Sequence, residues 1–263
     1  MTFDVIDFHC HPFVCNYERI GGYVDTVNMT TEDFFKHMEE NGVSFCVGSV
    51  IGRKTNSFED IHNFNLHALK LRQKYHGKYI PGFHIHPFYI EKSIKEIDFA
   101  IENNVKLIGE LVPYHHGWED YSSPEFMEVM SYISGKNLIV NMHISSKENL
   151  EQMEKPIAAY KDIKFVLAHP GYGDRLNKHI EILNKYENTY LDLSGSGIEL
   201  YGAVKRIVES TDFKRLLFGT DFPVTAVGTW KSAVLNEKIS DDAKEHILSK
   251  NARRLLNLER SQT

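Results

Sequence analysis

The chain has 263 residues, 42% of them hydrophobic and 12% aromatic, enough to bury a core in one large domain or two small ones. Thirty Lys and Arg against 36 Asp and Glu leave a net charge of −6, and no basic run offers a grip on nucleic acid or an anionic membrane. No apolar stretch reaches the ~18 residues of a membrane span, so an ordinary globular chain acting on a small molecule is expected.

The first predicted strand, Val5–His9, lies in the stretch VIDFHCHP. Alternate side chains of a strand share a face, so His9 and His11 leave its end on one side, about 6–7 Å apart along the backbone. Pro12 stops the pairing because it has no N–H to donate. Residues 30–42, TTEDFFKHMEENG, open on threonine caps and close on Asn41-Gly42 as a helix. Short Val/Ile/Leu/Phe-rich runs then recur at Ser44–Ile51, Tyr79–His84, Lys106–Leu111, Leu138–His143, Lys164–His169, Thr189–Leu193 and Leu216–Thr220. They are apolar on both faces, as strands covered on both sides should be.

Helical patterns separate them: Asn56–Tyr75, Ile90–Asn103, Ser122–Gly135, Lys147–Tyr160, Asp174–Tyr186, Gly197–Ser210 and Ser240–Leu258. Thr225–Glu237 reads as a loop with a small helix. Strand and helix alternating eight times predict a single α/β domain over 1–263, a (β/α)8 TIM barrel, with no linker or composition shift to split it. Cys10, Cys15 and Cys46 are an odd number without a CxxC pair, which fits a reducing compartment. The N-terminal stretch, interrupted by Asp4 and Asp7, lacks the basic-then-apolar order of a secretion signal, so a cytoplasmic location is expected.

Reactive residues of such a barrel belong at the C-terminal ends of its strands. Strand one ends in His9 and His11, strand four carries Glu110, strand five His143, strand six His169 and strand eight Asp221. Singly, each has a plain structural reading as a polar strand end or a turn cap. Glu110 is hardest to dismiss, because a carboxylate inside an apolar strand is costly to bury without a cation or hydrogen bonds. Together the six predict a metal site at the strand ends. Four imidazoles and two carboxylates suit zinc, with manganese, iron or nickel as alternatives.

The motifs IDFHCHP, LAHPG, FGTDFP and ILSKNARRLLNL, with this order of ligands, resemble the amidohydrolase superfamily and its amidohydrolase-2 (ACMSD-like) branch, from about Asp4 to Leu258. That resemblance implies a divalent metal held by His9, His11, His143 and Asp221. Glu110 departs from it: the two-metal branches carry a bridging carboxylated lysine or glutamate there, and TatD-type deoxyribonucleases have glutamate in a similar GE context. One ion or two therefore both stay open.

The expected chemistry is a metal-activated water with its pKa lowered toward ~7. Asp221 is the expected general base. His143 and His169 either complete a second site bridged by Glu110, or divide into a fourth ligand and a catalytic electrophile, His169. The leading expectation is hydrolysis of a small lactone, ester or amide. The alternatives are non-oxidative decarboxylation of an aromatic or unsaturated acid, a TatD-like phosphodiesterase, and a metal-binding protein without catalysis. Expected substrate contacts are His84 or His86 of FHIHPF, Tyr114 and His115 of PYHHGWED, and Arg53 and Arg175, either of which suits a carboxylate. His116 and Trp118 extend that aromatic wall. Asn141 and Asp7 are placed to support ligand imidazoles from behind. The resemblance also allows a homodimer, which no residue demands.

Overall fold

The chain is seen in a computed structural model that describes residues 3–12, 14–16, 19–21, 28–52 and 57–258. After the first barrel strand, β1 (Ile6–Asp7), comes a small antiparallel sheet of β2 (Val14–Asn16), β3 (Arg19–Gly21) and β4 (Asn28–Thr30). Its strands are three residues each, too short for an alternating pattern to announce them. Thr30 then caps α1 (Thr31–Glu40): its hydroxyl accepts from Asp33 N–H at 3.0 Å, and the Asp33 carboxylate accepts from Thr30 N–H at 3.1 Å.

The remaining strands alternate with helices as the apolar runs predict. They are β5 (Phe45–Ser49), β6 (Tyr79–Phe83), β7 (Leu107–Leu111), β8 (Ile139–Met142), β9 (Lys164–Ala168), β10 (Thr189–Asp192) and β11 (Leu216–Leu217). Between them lie α2 (Phe58–Lys74), α3 (Ile90–Glu102), α4 (Pro113–His116), α5 (Pro124–Ile133), α6 (Lys147–Ala159), α7 (Gly173–Lys185) and α8 (Ala203–Ser210). Ser57, Ser123 and Ser146 cap α2, α5 and α6 through their side chains. The helix expected from Gly197 begins at Ala203, because the glycine-rich segment before it bends as a loop. After β11 come α9 (Val227–Leu235), α10 (Asp241–Glu245), a π-helical turn at His246–Lys250 and α11 (Asn251–Leu256).

All eight barrel strands run parallel, in the order β1-β5-β6-β7-β8-β9-β10-β11, so neighbours in sequence are neighbours in the sheet. The sheet curls until its edges meet. Phe8 N–H donates to the Phe218 carbonyl at 2.8 Å, Asp221 N–H to His9 at 2.7 Å, and His11 N–H to Phe222 at 2.8 Å. The architecture is α/β and TIM-barrel-like, and these bonds tie the histidines after β1 to Asp221 after β11. One apolar cluster draws Ile6, Val47, Leu107, Ile139, Val166, Tyr190 and Leu217 from seven of the strands and adds Ala252 and Leu256 of α11. Two larger clusters cement the helices to the outside of the sheet. Among the described residues no helix is long and apolar enough to cross a membrane.

Candidate metal centre

Parallel strands deliver their C-terminal loops to one end of the sheet, and six of the residues expected at a metal site converge there. His9 and His11 turn their Nε2 atoms toward each other at 3.0 Å. Glu110, near the end of β7, reaches between them: its Oε2 is 3.1 Å from His11 Nε2 and 3.3 Å from His9 Nε2. Its other oxygen, Oε1, lies 3.0 Å from His143 Nδ1 and 3.0 Å from His169 Nε2. Asp221 Oδ1 stands 3.5 Å from both His9 Nε2 and His11 Nε2. The donor atoms of His9, His11 and Glu110, and separately those of Glu110, His143 and His169, lie within 4.8 Å of one another, so each trio could hold a metal ion.

Burial makes this arrangement electrically demanding. It would push the Glu110 carboxyl up, but His9, His143 and His169 around it hold it well below its ordinary value. It would push the His9 imidazole down, but Asp192 and Glu110 carry it well above its ordinary value. His169 is likewise raised, burial notwithstanding, chiefly by Glu110, whereas burial prevails at His143 and lowers it. A buried carboxylate among four imidazoles needs positive charge, from protons or from cations. Ring nitrogens converging on each other and on carboxylate oxygens are a donor set that fits a divalent ion.

The backbone is strained where two of these residues sit. His169 and Asp221 both have φ of 65°, and the other described non-glycine residues with positive φ are all asparagines. Positive φ is uncommon outside glycine, least so for Asn, Asp and His, and it gathers at functional sites.

The cluster opens into a cavity of about 280 Å³. Three of the residues read from the sequence as candidate substrate contacts, Tyr114, His115 and Arg175, line it together with the apolar side chains of Ile51, Val112, Ile144 and Val224. Tyr114 is half exposed and meets His143 edge-on, with ring centroids 5.1 Å apart. Arg175 Nη1 donates to the carbonyls of Ile144 at 3.3 Å and Ser145 at 2.7 Å, and Nη2 to Ser196 Oγ at 2.8 Å. A Cβ at Gly171 would fall 1.7 Å from Arg175 Nε, so this glycine makes room for the guanidinium.

The remaining expectations fare differently. His84 and His86 do not line the cavity. His84 Nε2 faces the Val50 carbonyl at 2.9 Å and His86 Nε2 the His116 carbonyl at 2.8 Å, so both brace loops. Burial keeps His84 down at about 4 and therefore neutral. Trp118 is buried against Tyr121 and Phe126. Arg53 lies outside the described residues. Asp7 holds backbone: it accepts from the N–H groups of His9 at 3.1 Å and Thr220 at 3.0 Å, and from the Thr220 hydroxyl at 2.5 Å. Burial drives its carboxyl up to about 7 against those bonds. Asn141 is buried with its Oδ1 hydrogen-bonded to nothing among the described residues.

Two residues at the site have no counterpart in the sequence reading. Asp192 Oδ2 contacts His9 Nδ1, and Ser194 Oγ lies 3.1 Å from His169 Nδ1. The third supported imidazole, His11, has its Nδ1 3.0 Å from the Ser49 carbonyl.

A curled parallel sheet with a histidine–carboxylate cluster where its strands end defines an α/β, TIM-barrel-like protein whose cluster could hold a metal ion. The family model described as Amidohydrolase matches residues 6–258, and the chain belongs to that family. No curated protein matches it. Among solved structures, an uncharacterised TIM-barrel protein from Bordetella bronchiseptica is 19% identical with a TM-score of 0.79, covering 97% of this chain and 98% of that one. The 2,6-dihydroxybenzoate decarboxylase from Rhizobium is 11% identical with a TM-score of 0.78, covering 98% and 99%. A 5-carboxyvanillate decarboxylase from Novosphingobium aromaticivorans, solved with bound manganese and a nitrobenzoic acid, is 13% identical with a TM-score of 0.76, covering 97% of each chain.

Proposed function

We propose that this protein is a metal-dependent enzyme that removes carbon dioxide from a small aromatic or unsaturated carboxylic acid. The observation that carries this reading is the cavity itself: its lining joins His11, Glu110, His143, His169 and Asp221 of the cluster to the Arg175 guanidinium and to apolar side chains. A planar acid needs that combination, a fixed cation for its carboxylate and dry walls for its ring. The decarboxylases among the structural neighbours favour the same chemistry over hydrolysis.

His9, His11 and Glu110 would hold one divalent cation, with Asp221 beside it, and Glu110, His143 and His169 a second. Zinc suits these donors, and manganese is the ion bound in a neighbour. A cation held there supplies Lewis acidity toward an oxygen of the substrate or of water. Arg175, fastened to the loops after β8 and β10, orients the substrate acid. The buried side chains of Ile51, Val112 and Ile144 would exclude water from the reacting carbon. Loss of carbon dioxide exchanges a C–C bond for a C–H bond, so an acid in the cavity must deliver a proton to that carbon. Asp221 is the carboxyl fitted to do so: it stands 3.5 Å from the nearest imidazoles and is 13% exposed, against 3.0–3.3 Å and 2% for Glu110.

Hydrolysis of a lactone, ester or amide is the second reading, favoured by Glu110 giving one oxygen to each pair of histidines. Two cations are more than decarboxylation needs. Asp221 would then take the proton of the attacking water.

The test incubates metal-replete protein with hydroxybenzoates and unsaturated acids, measuring released carbon dioxide, and with lactones and aryl esters, measuring acid production. Carbon dioxide release that disappears in Asp221→Asn supports decarboxylation. Hydrolysis without it transfers the assignment to the second reading.

A further inference from the structure

Three of the four imidazoles in the cluster are held from behind at Nδ1. The support of His11 is a backbone carbonyl, Ser49 O. Those of His9 and His169 are side chains from a single strand end: Asp192 closes β10, and Ser194 comes two residues later. The two supports are joined, because Asp192 Oδ1 accepts from Ser194 N–H at 2.8 Å. Both residues are fully buried. Their surroundings are shaped for them: a Cβ at Gly219 would fall 2.6 Å from Asp192 Oδ1 and 2.7 Å from His9 Cβ, and one at Gly195 would fall 2.2 Å from His169 Nδ1.

An imidazole binds a cation through whichever nitrogen carries no proton, and the partner of the other nitrogen decides which that is. A carboxylate at His9 Nδ1 keeps the proton there and leaves Nε2 bare toward Glu110 and Asp221. With His169 Nε2 turned toward Glu110 and bare for a cation, the Ser194 hydroxyl oxygen would accept from Nδ1–H. His9 belongs to the first trio of donors and His169 to the second.

We propose that Asp192 and Ser194 are positioning residues that set the tautomers of His9 and His169, so that one strand end governs both metal-binding trios. The inference rests on the metal-centre reading above and adds a division of labour. Asp192 supports His9 directly and His169 through Ser194, so its loss weakens both trios. Ser194 supports His169 alone.

The experiment is a zinc titration of metal-free wild type, Asp192→Asn and Ser194→Ala against a chromophoric chelator, with a thermal melt of each. Asp192→Asn, which keeps the shape and removes the charge, lowers the affinity of both ions, by about 10–100-fold at the trio containing His9. Ser194→Ala weakens one ion by about tenfold and leaves the other at its wild-type affinity. Wild-type affinities in both variants would overturn the inference while leaving the metal centre intact. Equal losses of both ions in Ser194→Ala would overturn the division of labour. A wild type that takes up no zinc would sink the metal centre and this inference together. If Asp192→Asn fails to melt cooperatively, Ser194→Ala decides alone, since it removes only a hydroxyl.

Discussion

Glu110 Oε2 stands 3.1 Å from His11 Nε2, a carboxylate and an imidazole each about 2% exposed. Its Oε1 serves His143 and His169 equally closely, so one side chain links both halves of the cluster. Glu110→Gln keeps the shape and removes the charge. Elemental mass spectrometry of the purified variant is expected to give less metal per chain than wild type, because Glu110 belongs to both trios of donors. An unchanged metal content would remove Glu110 from the ligands and leave it a group facing the substrate.

In either proposed chemistry Asp221 would carry the proton; its φ is 65° and its side chain lines the cavity. Asp221→Asn should lower kcat by about 10²–10⁴-fold, the usual worth of a positioned acid or base, while part of the metal stays bound. A variant that turns over its substrate at the wild-type rate would show that another group moves the proton.

The barrel and most of the cluster were legible because both are periodic. Apolar runs ending in His9, His143 and His169 state their strand and its C-terminal end at once. Asp192 escaped although it is, like Glu110, a charged residue inside an apolar run, TYLDLSG. Its partner His9 is 183 residues away, a separation no local pattern carries. His84 and His86 misled for a related reason: an HxH at a strand end looks alike whether its nitrogens face a cavity or, as here, the carbonyls of Val50 and His116. Which way a ring turns depends on loops packed above it, and those pairings lie beyond periodicity.

Gly195 separates backbone strain from site disruption. Its φ is 68°, which an alanine resists, and an added Cβ would also meet His169 Nδ1 at 2.2 Å. Gly77 has a similar φ of 77° with nothing within 4 Å of its added Cβ, so Gly77→Ala bears the backbone cost alone. Urea titrations should find Gly77→Ala destabilised by about 1 kcal/mol and Gly195→Ala by about 1–3 kcal/mol more. Metal should be lost only in Gly195→Ala. Equal stabilities and full metal content in both would mean that His169 moves aside freely.

Far from the centre, Glu154 on α6 gathers the charges of α7. It accepts from Lys178 Nζ at 2.5 Å, from Lys185 Nζ at 2.6 Å and from the Tyr186 hydroxyl at 3.0 Å. Burial pushes its carboxyl up, but these bonds outweigh burial and bring it down to about 2 from an ordinary 4.5. The folded chain therefore binds fewer protons than the unfolded chain between those values, and stability rises with pH across the interval. The contribution is complete above about pH 4.5 and is lost as pH falls through about 2. Much of the network is open to solvent, with Lys185 53% exposed, so water and salt reduce what it contributes. Glu154→Gln should cost about 1 kcal/mol at pH 7 in urea unfolding. That difference from wild type should shrink through pH 4 and nearly vanish near pH 2. A difference that stayed constant down to pH 2 would assign the effect to packing between α6 and α7 instead of to charge.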